Sequence, residues 1–174
     1  IPGHEYTVTI TGAKSNNMVD VDTYTVTVTT PGTSNYNITG SNTRTFEIKP
    51  AGQETISISG TQAQVRYGDT IQLGVSGGTG SGTVAWTVTD ADGNAVNSSI
   101  SGSGLLTVKD VGVPLTVTVT RSAGGNYTDV SASWEFSAAK KQVSAVVTAD
   151  DRPYAAGDKS ATVKASVPDS ELVP

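Results

Sequence analysis

The chain has no cysteine, one methionine and one histidine in 174 residues. Without cysteine there is no disulfide scaffold and no thiolate chemistry, and the redox compartment is left open. No apolar run approaches the ~18 residues a membrane-spanning helix requires. Basic residues are the minority: 11 Lys and Arg stand against 16 Asp and Glu, a net charge of −5. Phosphate backbones attract basic surfaces, so this balance argues against a nucleic-acid partner. No window carries apolar residues at i, i+3, i+4 and i+7 between caps, so amphipathic helices are not expected. The opening residues, "IPGHEY", lack an initiator methionine and a signal peptide, and the expectation is a piece of something longer.

What is there is threonine and valine in alternation. β-branched side chains suit pleated strands because their restricted χ1 packs well on that surface. Strands are expected over 5–10, 23–30, 44–49, 55–60, 70–75, 83–90, 105–110, 115–121, 131–138, 142–149 and 160–167. Turn clusters such as "SGGTGSG", "DADGN" and "SAGGN" separate them. Many short strands with regular turn signals point to an all-β sandwich or barrel.

The alternation also repeats. "YTVTVTTPGTSNYNI" from Tyr24 and "LTVTVTRSAGGNYTDV" from Leu115 both reach Asn-Tyr at the same distance, 126 − 35 = 91 positions apart. Each then leads to a strand centred on phenylalanine, Phe46 or Phe136. A second pair of marks, Tyr67-Gly68-Asp69 and Tyr154 followed by Gly157-Asp158, recurs with its tyrosines 154 − 67 = 87 apart. The order is ending, beginning, ending, beginning. A period near ~90 fits a string of sandwich domains better than a solenoid, whose units run ~20–50 residues. The expected organisation is therefore the back half of one unit over 1–50, a complete unit over 51–140 and the front half of a third over 141–174.

At these residues the chain resembles known repeats. "VRYGDTIQLGVSGGTGSGTVAWTV", with "LLTVKDVGVPLTVTVT" and "GGNYTDVSASWEFSAAK", resembles bacterial Ig-like repeats of the Big type. "VVTADDRPYAAGDKSATVKASV" is similar to the opening of the YDG/MBG-type repeats of secreted bacterial adhesins. "TYTVTVTTPGTSNYNITGSNTRTFEIKPA" resembles their closing half. The resemblance implies Ig-like antiparallel β-sandwich repeats in an elongated array. It also implies an extracellular, cell-surface or secreted location, a stalk or adhesive role, and no catalytic residues.

Candidate chemistry is sparse. "GSGTVA" (80–85) has the spacing of a dinucleotide fingerprint, but a strand rather than a helix follows, which makes it an inter-strand loop. Asp90, Asp92 and Asn94 offer alternating oxygen ligands and are weak calcium candidates. Counted from Asp90, the sixth residue is Ala95 and the twelfth Ser101, where an EF-type loop needs Gly and Glu. Asp92-Gly93 is equally a turn signal. Asp20 and Asp22 are a second weak pair. His4 has no partner for zinc or for a triad. Trp86 and Trp134 could stack on a sugar, yet parity puts each on the more apolar face of its strand, as core residues. Threonine rows read as solvated outer faces, because twisted strands do not make the flat array an ice-binding surface needs. The first strand of the complete unit has no lysine for an isopeptide crosslink. The sequons at Asn37, Asn97 and Asn126 carry little weight for a bacterial source.

The expected core of residues 51–140 is Val65, Leu73, Trp86, Val88, Leu106, Val117, Val119 and Phe136. Tyr36 and Tyr127 are expected to play one corner role, with a buried ring and a hydroxyl bonded to backbone. The functional expectation is a non-enzymatic extracellular stalk or adhesin segment without cofactor or resident metal. The alternative is a carbohydrate-binding module of a secreted enzyme. Its expected partners are neighbouring repeats, a second copy meeting it head to tail through the two half units, and a host or matrix glycan or protein as adhesive ligand.

Overall fold

The computed structural model of the chain describes residues 6–14, 18–154, 156–157, 163–169 and 172. His4 lies outside them. Nearly all regular structure is strand, in five sheets among the described residues. The first sheet is β1 (Thr7–Thr11), β2 (Asp22–Thr29) and β3 (Thr43–Ile48), in that order. β4 (Ile56–Ser59) pairs with β7 (Gly74–Gly77). β6 (Thr70–Gln72), β10 (Leu105–Thr107) and β9 (Ser99–Ile100) form a third sheet with β10 in the middle. The largest runs β5 (Val65–Arg66), β12 (Val130–Ala139), β11 (Pro114–Arg121), β8 (Val84–Asp90). β13 (Val146–Ala149) and β14 (Val163–Ser166) pair as the fifth. Four sheets are antiparallel throughout; β5 meets β12 in parallel, Val65 opposite Ala138.

The Thr/Val alternation is the reason the first sheet has two unlike faces. Residues directly opposite one another share a face. Thr7 faces Thr29, Thr9 faces Thr27 and Thr25 faces Thr45. The interleaved positions bring Val8 opposite Val28, Ile10 opposite Val26 and Tyr24 opposite Phe46. One face is thus mainly threonine, with Glu47 opposite Thr23, and the other mainly apolar, with Arg44 opposite Val26 and Asp22 opposite Ile48.

By contact the chain forms two compact units. One comprises residues 1–59, 74–87 and 118–133; the other comprises 60–73, 88–117 and 134–174. The first unit holds the three-stranded sheet and the β4–β7 pair, with Tyr24, Ile56 and Val119 buried. The second holds most of the buried apolar side chains: Val65, Ile71, Leu73, Leu106, Val108, Leu115, Val117 and Ala138. Along β11 the pattern is strict, with Leu115, Val117 and Val119 sealed and the intervening threonines half-exposed. At ~25 cal/mol per Å² such residues carry most of the drive to fold.

Of the expected core, Val65, Leu73, Leu106, Val117 and Val119 are buried. Trp86, Val88 and Phe136 are only half-buried, and so is Trp134. Parity is as expected: Ser133, Glu135 and Ser137 face solvent while Trp134 and Phe136 turn the other way. For Trp134 and Phe136 the flank on β12 is short. β5 is two residues long and flanks β12 only at Ala138 and Ala139. Ala138 is sealed, and the aromatic positions further back along β12 lack that flank.

The expected strand 70–75 is two strands. At Leu73 the chain leaves the β10 partnership, its N–H donating to Gly104 O at 2.9 Å, and Gly74 then joins β4. A side chain at Gly60 (φ +81°) would collide with Gln72 O, so the approach beside this break needs glycine.

Candidate functional site

Asn126, in the connection between β11 and β12, joins distant parts of the sequence. Its Oδ1 accepts from Val21 N at 2.7 Å, and its Nδ2 donates to Asp20 Oδ1 at 3.0 Å and reaches Val19 O at 3.5 Å. One amide therefore serves both backbone and carboxylate of the β1–β2 connection, 105 to 107 positions away. The Asn126 backbone is held as well: Ala51 N donates to Asn126 O and Thr128 N to Ala51 O, both at 2.9 Å.

Gln53 completes the arrangement. Its Nε2 donates to Thr128 O at 2.7 Å and lies 3.2 Å from Ser122 O, while its Oε1 accepts from Gly80 N at 2.9 Å. A side chain at Gly82 would run into Ser122, and one at Gly124 into Ser81 and Gly82. These glycines let the 80–82 and 122–124 backbones touch. The Gly-rich stretch 80–85 is thus a packing loop that leads into β8, in line with its strand context.

The described ends of the β1–β2 connection are held as well. Tyr24 is fully buried. Its hydroxyl lies 3.0 Å from Asp20 O and 3.2 Å from Lys14 O, and its ring stacks on Phe46 with centroids 5.3 Å apart. Burial raises the phenol pKa, and the Asp22 and Asp20 carboxylates push the same way. Asp22 accepts from Lys14 N and from its own neighbour Thr23 N. The Lys14 amide is the main cause holding this carboxyl below its usual range.

Tyr24 therefore occupies the role expected of Tyr36. Tyr36 is 59% exposed, whereas Tyr127 is half-buried and its backbone bridges Ala51. The β2–β3 connection that carries Tyr36 is longer than the β11–β12 connection, so the two tyrosines do not share an environment.

The other named residues have structural occupations. Asp90 accepts from Asp92 N at 3.0 Å, Asn94 N at 2.7 Å and Asn94 Nδ2 at 3.0 Å. The Asn94 side chain is the leading cause of its lowered pKa. That is a self-closed turn, with Gly93 at φ +84°. Among the described residues, no three His, Cys, Asp or Glu side chains come together. Trp134 and Phe136 stack with centroids 4.5 Å apart.

Sequence reasoning passed over the buried Ser98. Its hydroxyl donates to Asp110 Oδ2 at 2.6 Å and accepts from Lys109 N at 2.9 Å. Burial alone would raise the Asp110 pKa; the Ser98 hydroxyl and amide, with Asn97, outweigh it and lower it. Gln53 was equally unmarked, while Asn126 was visible as half of a recurring Asn-Tyr pair and as a sequon, neither of which points to this bonding. No protein-family model matches the chain, and neither does any curated protein or solved structure.

Proposed function

We propose that this chain is a non-enzymatic segment of an extracellular bacterial stalk or adhesin, built from Ig-like sandwich repeats. It spaces or presents an adhesive region at the cell surface. The observation that carries the reading is the Asn126 joint. A stalk must hold successive repeats at fixed spacing, and here one amide and one glutamine tie the β1–β2 connection and residues 51–53 to a single loop. Directional hydrogen bonds to backbone suit that task, because they fix geometry whatever the side chains around them. The acidic, threonine-rich exterior keeps such a segment dissolved.

The test is surface display. Antibody raised against residues 51–140 should label intact source cells, and brief protease treatment of those cells should remove the signal. Label confined to the cytosol overturns the proposal.

The Trp134–Phe136 stack supports a second reading, carbohydrate binding, since sugars pack on aromatic faces. Electrophoresis through gels containing soluble polysaccharides separates the two. The stalk reading expects unchanged mobility. Retardation that disappears in Trp134→Ala would favour the carbohydrate-binding module.

A further inference from the structure

The chain is acidic, with a net charge of −5, yet one groove on it is lined by a cation and by no acid. It lies between β2, the start of β3 and the connection that joins them. Two adjoining hollows make it up, of about 360 and about 370 Å³, with Val28, Ile38 and Asn42 common to both. Each falls within the ~300–1,000 Å³ range of small-ligand sites.

The strand ladder sets the chemistry of the groove. Arg44 stands opposite Val26. Asn42 continues that pairing beyond β3: Val28 N donates to Asn42 O at 2.9 Å, and Asn42 Nδ2 donates to Val28 O at 3.3 Å. Positions two apart on a strand share a face, so Arg44 stands on the side of Val26 and Val28. Those valines are half-buried, and Ile38 adds an apolar wall from the connection. Asn37 and Ser41 bring polar groups to the lining. The Ser41 hydroxyl donates to Thr43 O at 3.1 Å and keeps its lone pairs. Among the described residues, neither the Arg44 guanidinium nor the Asn37 amide has a hydrogen-bond or ion-pair partner.

A guanidinium beside an apolar wall selects its ligand. Its planar fork takes a carboxylate through two parallel hydrogen bonds. A doubly charged phosphate would find no second cation in the lining. The valines and Ile38 offer contact to C–H faces, while the amides and the Ser41 hydroxyl meet hydroxyl groups. A peptide adding as a strand has no place on the floor, because β2 is already bonded to β1 on one side and to β3 on the other. We propose that this groove binds an acidic saccharide, a sugar whose carboxylate pairs with Arg44 while its ring lies on Val26, Val28 and Ile38. As an adhesive site it rests on the adhesin reading above, and it names the class of glycan and the residues that hold it. Neutral polysaccharides lack the carboxylate and are not ligands here, so the gel test of the Trp134–Phe136 stack addresses a different surface.

Titration of the isotope-labelled full chain with free N-acetylneuraminic acid and with glucuronic acid, followed by amide NMR shifts, tests this. Saturable shifts centred on residues 26–28 and 37–44 are expected at millimolar ligand. Arg44→Gln should weaken binding about tenfold or more, as loss of a charge-assisted bond does. Lys49→Gln makes the same change in net charge outside the groove and should leave binding unaltered. Both side chains are exposed, and an unchanged spectrum elsewhere shows that each variant has folded. No saturable shift, equal shifts with neutral N-acetylglucosamine or with inorganic phosphate, tighter binding of an unblocked apolar dipeptide, or an equal loss in Lys49→Gln would each overturn the proposal. Binding is read on the purified chain and surface display on cells. Absent binding therefore leaves the surface reading untouched, and cytosolic label would overturn that reading while binding at Arg44 still stood.

Discussion

The connection between β2 and β3 and the connection between β11 and β12 carry the same Asn-Tyr pair 91 positions apart, and they have opposite fates. Asn126 is bonded to Val21 and Asp20, and Tyr127 is half-buried against Ala51. Asn35 and Tyr36 are exposed. Asn126 makes its joint where the β1–β2 connection presents backbone and a carboxylate to it. The pair is thus a capacity to bind a loop, and its use depends on what lies next to it in space.

The largest effect should come from the residue that makes the β1–β2 connection presentable. Tyr24 is sealed under that connection and holds it by its hydroxyl. Removing a large buried aromatic leaves a cavity that the surroundings fill only in part. Tyr24→Ala is expected to lower the melting temperature by several degrees and to open residues 6–48 to protease, with Asn126 losing its partner as a consequence. Tyr36→Ala should change neither. Equal losses at the two tyrosines would erase the contrast between the loops.

Next in size is the joint itself. Asn126→Ala leaves Val21 N without its acceptor in a part-buried place and should cost about 1–3 kcal/mol. Asn35→Ala should stay within about 0.5 kcal/mol, as surface changes do. Asn126→Asp sharpens the point. It keeps an acceptor for Val21 N but sets a carboxylate where an amide now donates to Asp20. Urea melts should show it more destabilising at pH 7 than at pH 3, relative to wild type, since protonation removes the repulsion.

Strand positions and the inward parity of β11 and β12 were legible because a period of two is a strong signal in Thr/Val-rich text. The split at Leu73 and the two-residue strands β5 and β9 were not, since they depend on which partner the backbone meets. The depth of burial of Trp86 and Phe136 was also hidden. Parity tells which way a side chain points and is silent on whether a neighbouring strand extends far enough to cover it. Ser98, Gln53 and Asn126 act on backbone groups far away in sequence, and such bonds leave no local pattern.

Acid should separate the two connections that lead into the Thr/Val strands. Asp22 at the start of β2 and Asp110 before β11 both have lowered pKa values, from the Lys14 amide in one and from Ser98 and Asn97 in the other. A carboxyl whose folded pKa is depressed adds stability above its unfolded value of about 3.9, and that stability is lost as pH falls through the folded value. Stability should therefore decline below about pH 4. Asp110→Asn, which removes a carboxylate from the buried Ser98, should flatten more of that decline than Asp22→Asn, whose carboxylate is bonded only to amides at an exposed site. A larger flattening from Asp22→Asn would reverse the ranking of the two connections.

The smallest effect concerns calcium. Asp20 belongs to the gripped connection and Asp22 opens β2 beside it, whereas Asp90, Asp92 and Asn94 bond one another within a turn. In both places oxygens are already committed, Asp20 to Asn126, Asp22 to Lys14 and Thr23, Asp90 to Asp92 and Asn94. A calcium ion asks for six to eight oxygens and would have to displace those donors. A ligand present at 100 times its Kd adds about 2.7 kcal/mol to the folded state, an easily measured rise in melting temperature. Millimolar calcium is expected to leave the melt of this chain where it is. A rise abolished by Asp90→Ala would make the solitary turn a metal site. A rise abolished by Asp20→Ala would instead mean that the joint is closed by an ion as well as by an amide, and Asn126→Ala would then cost less in calcium than without it.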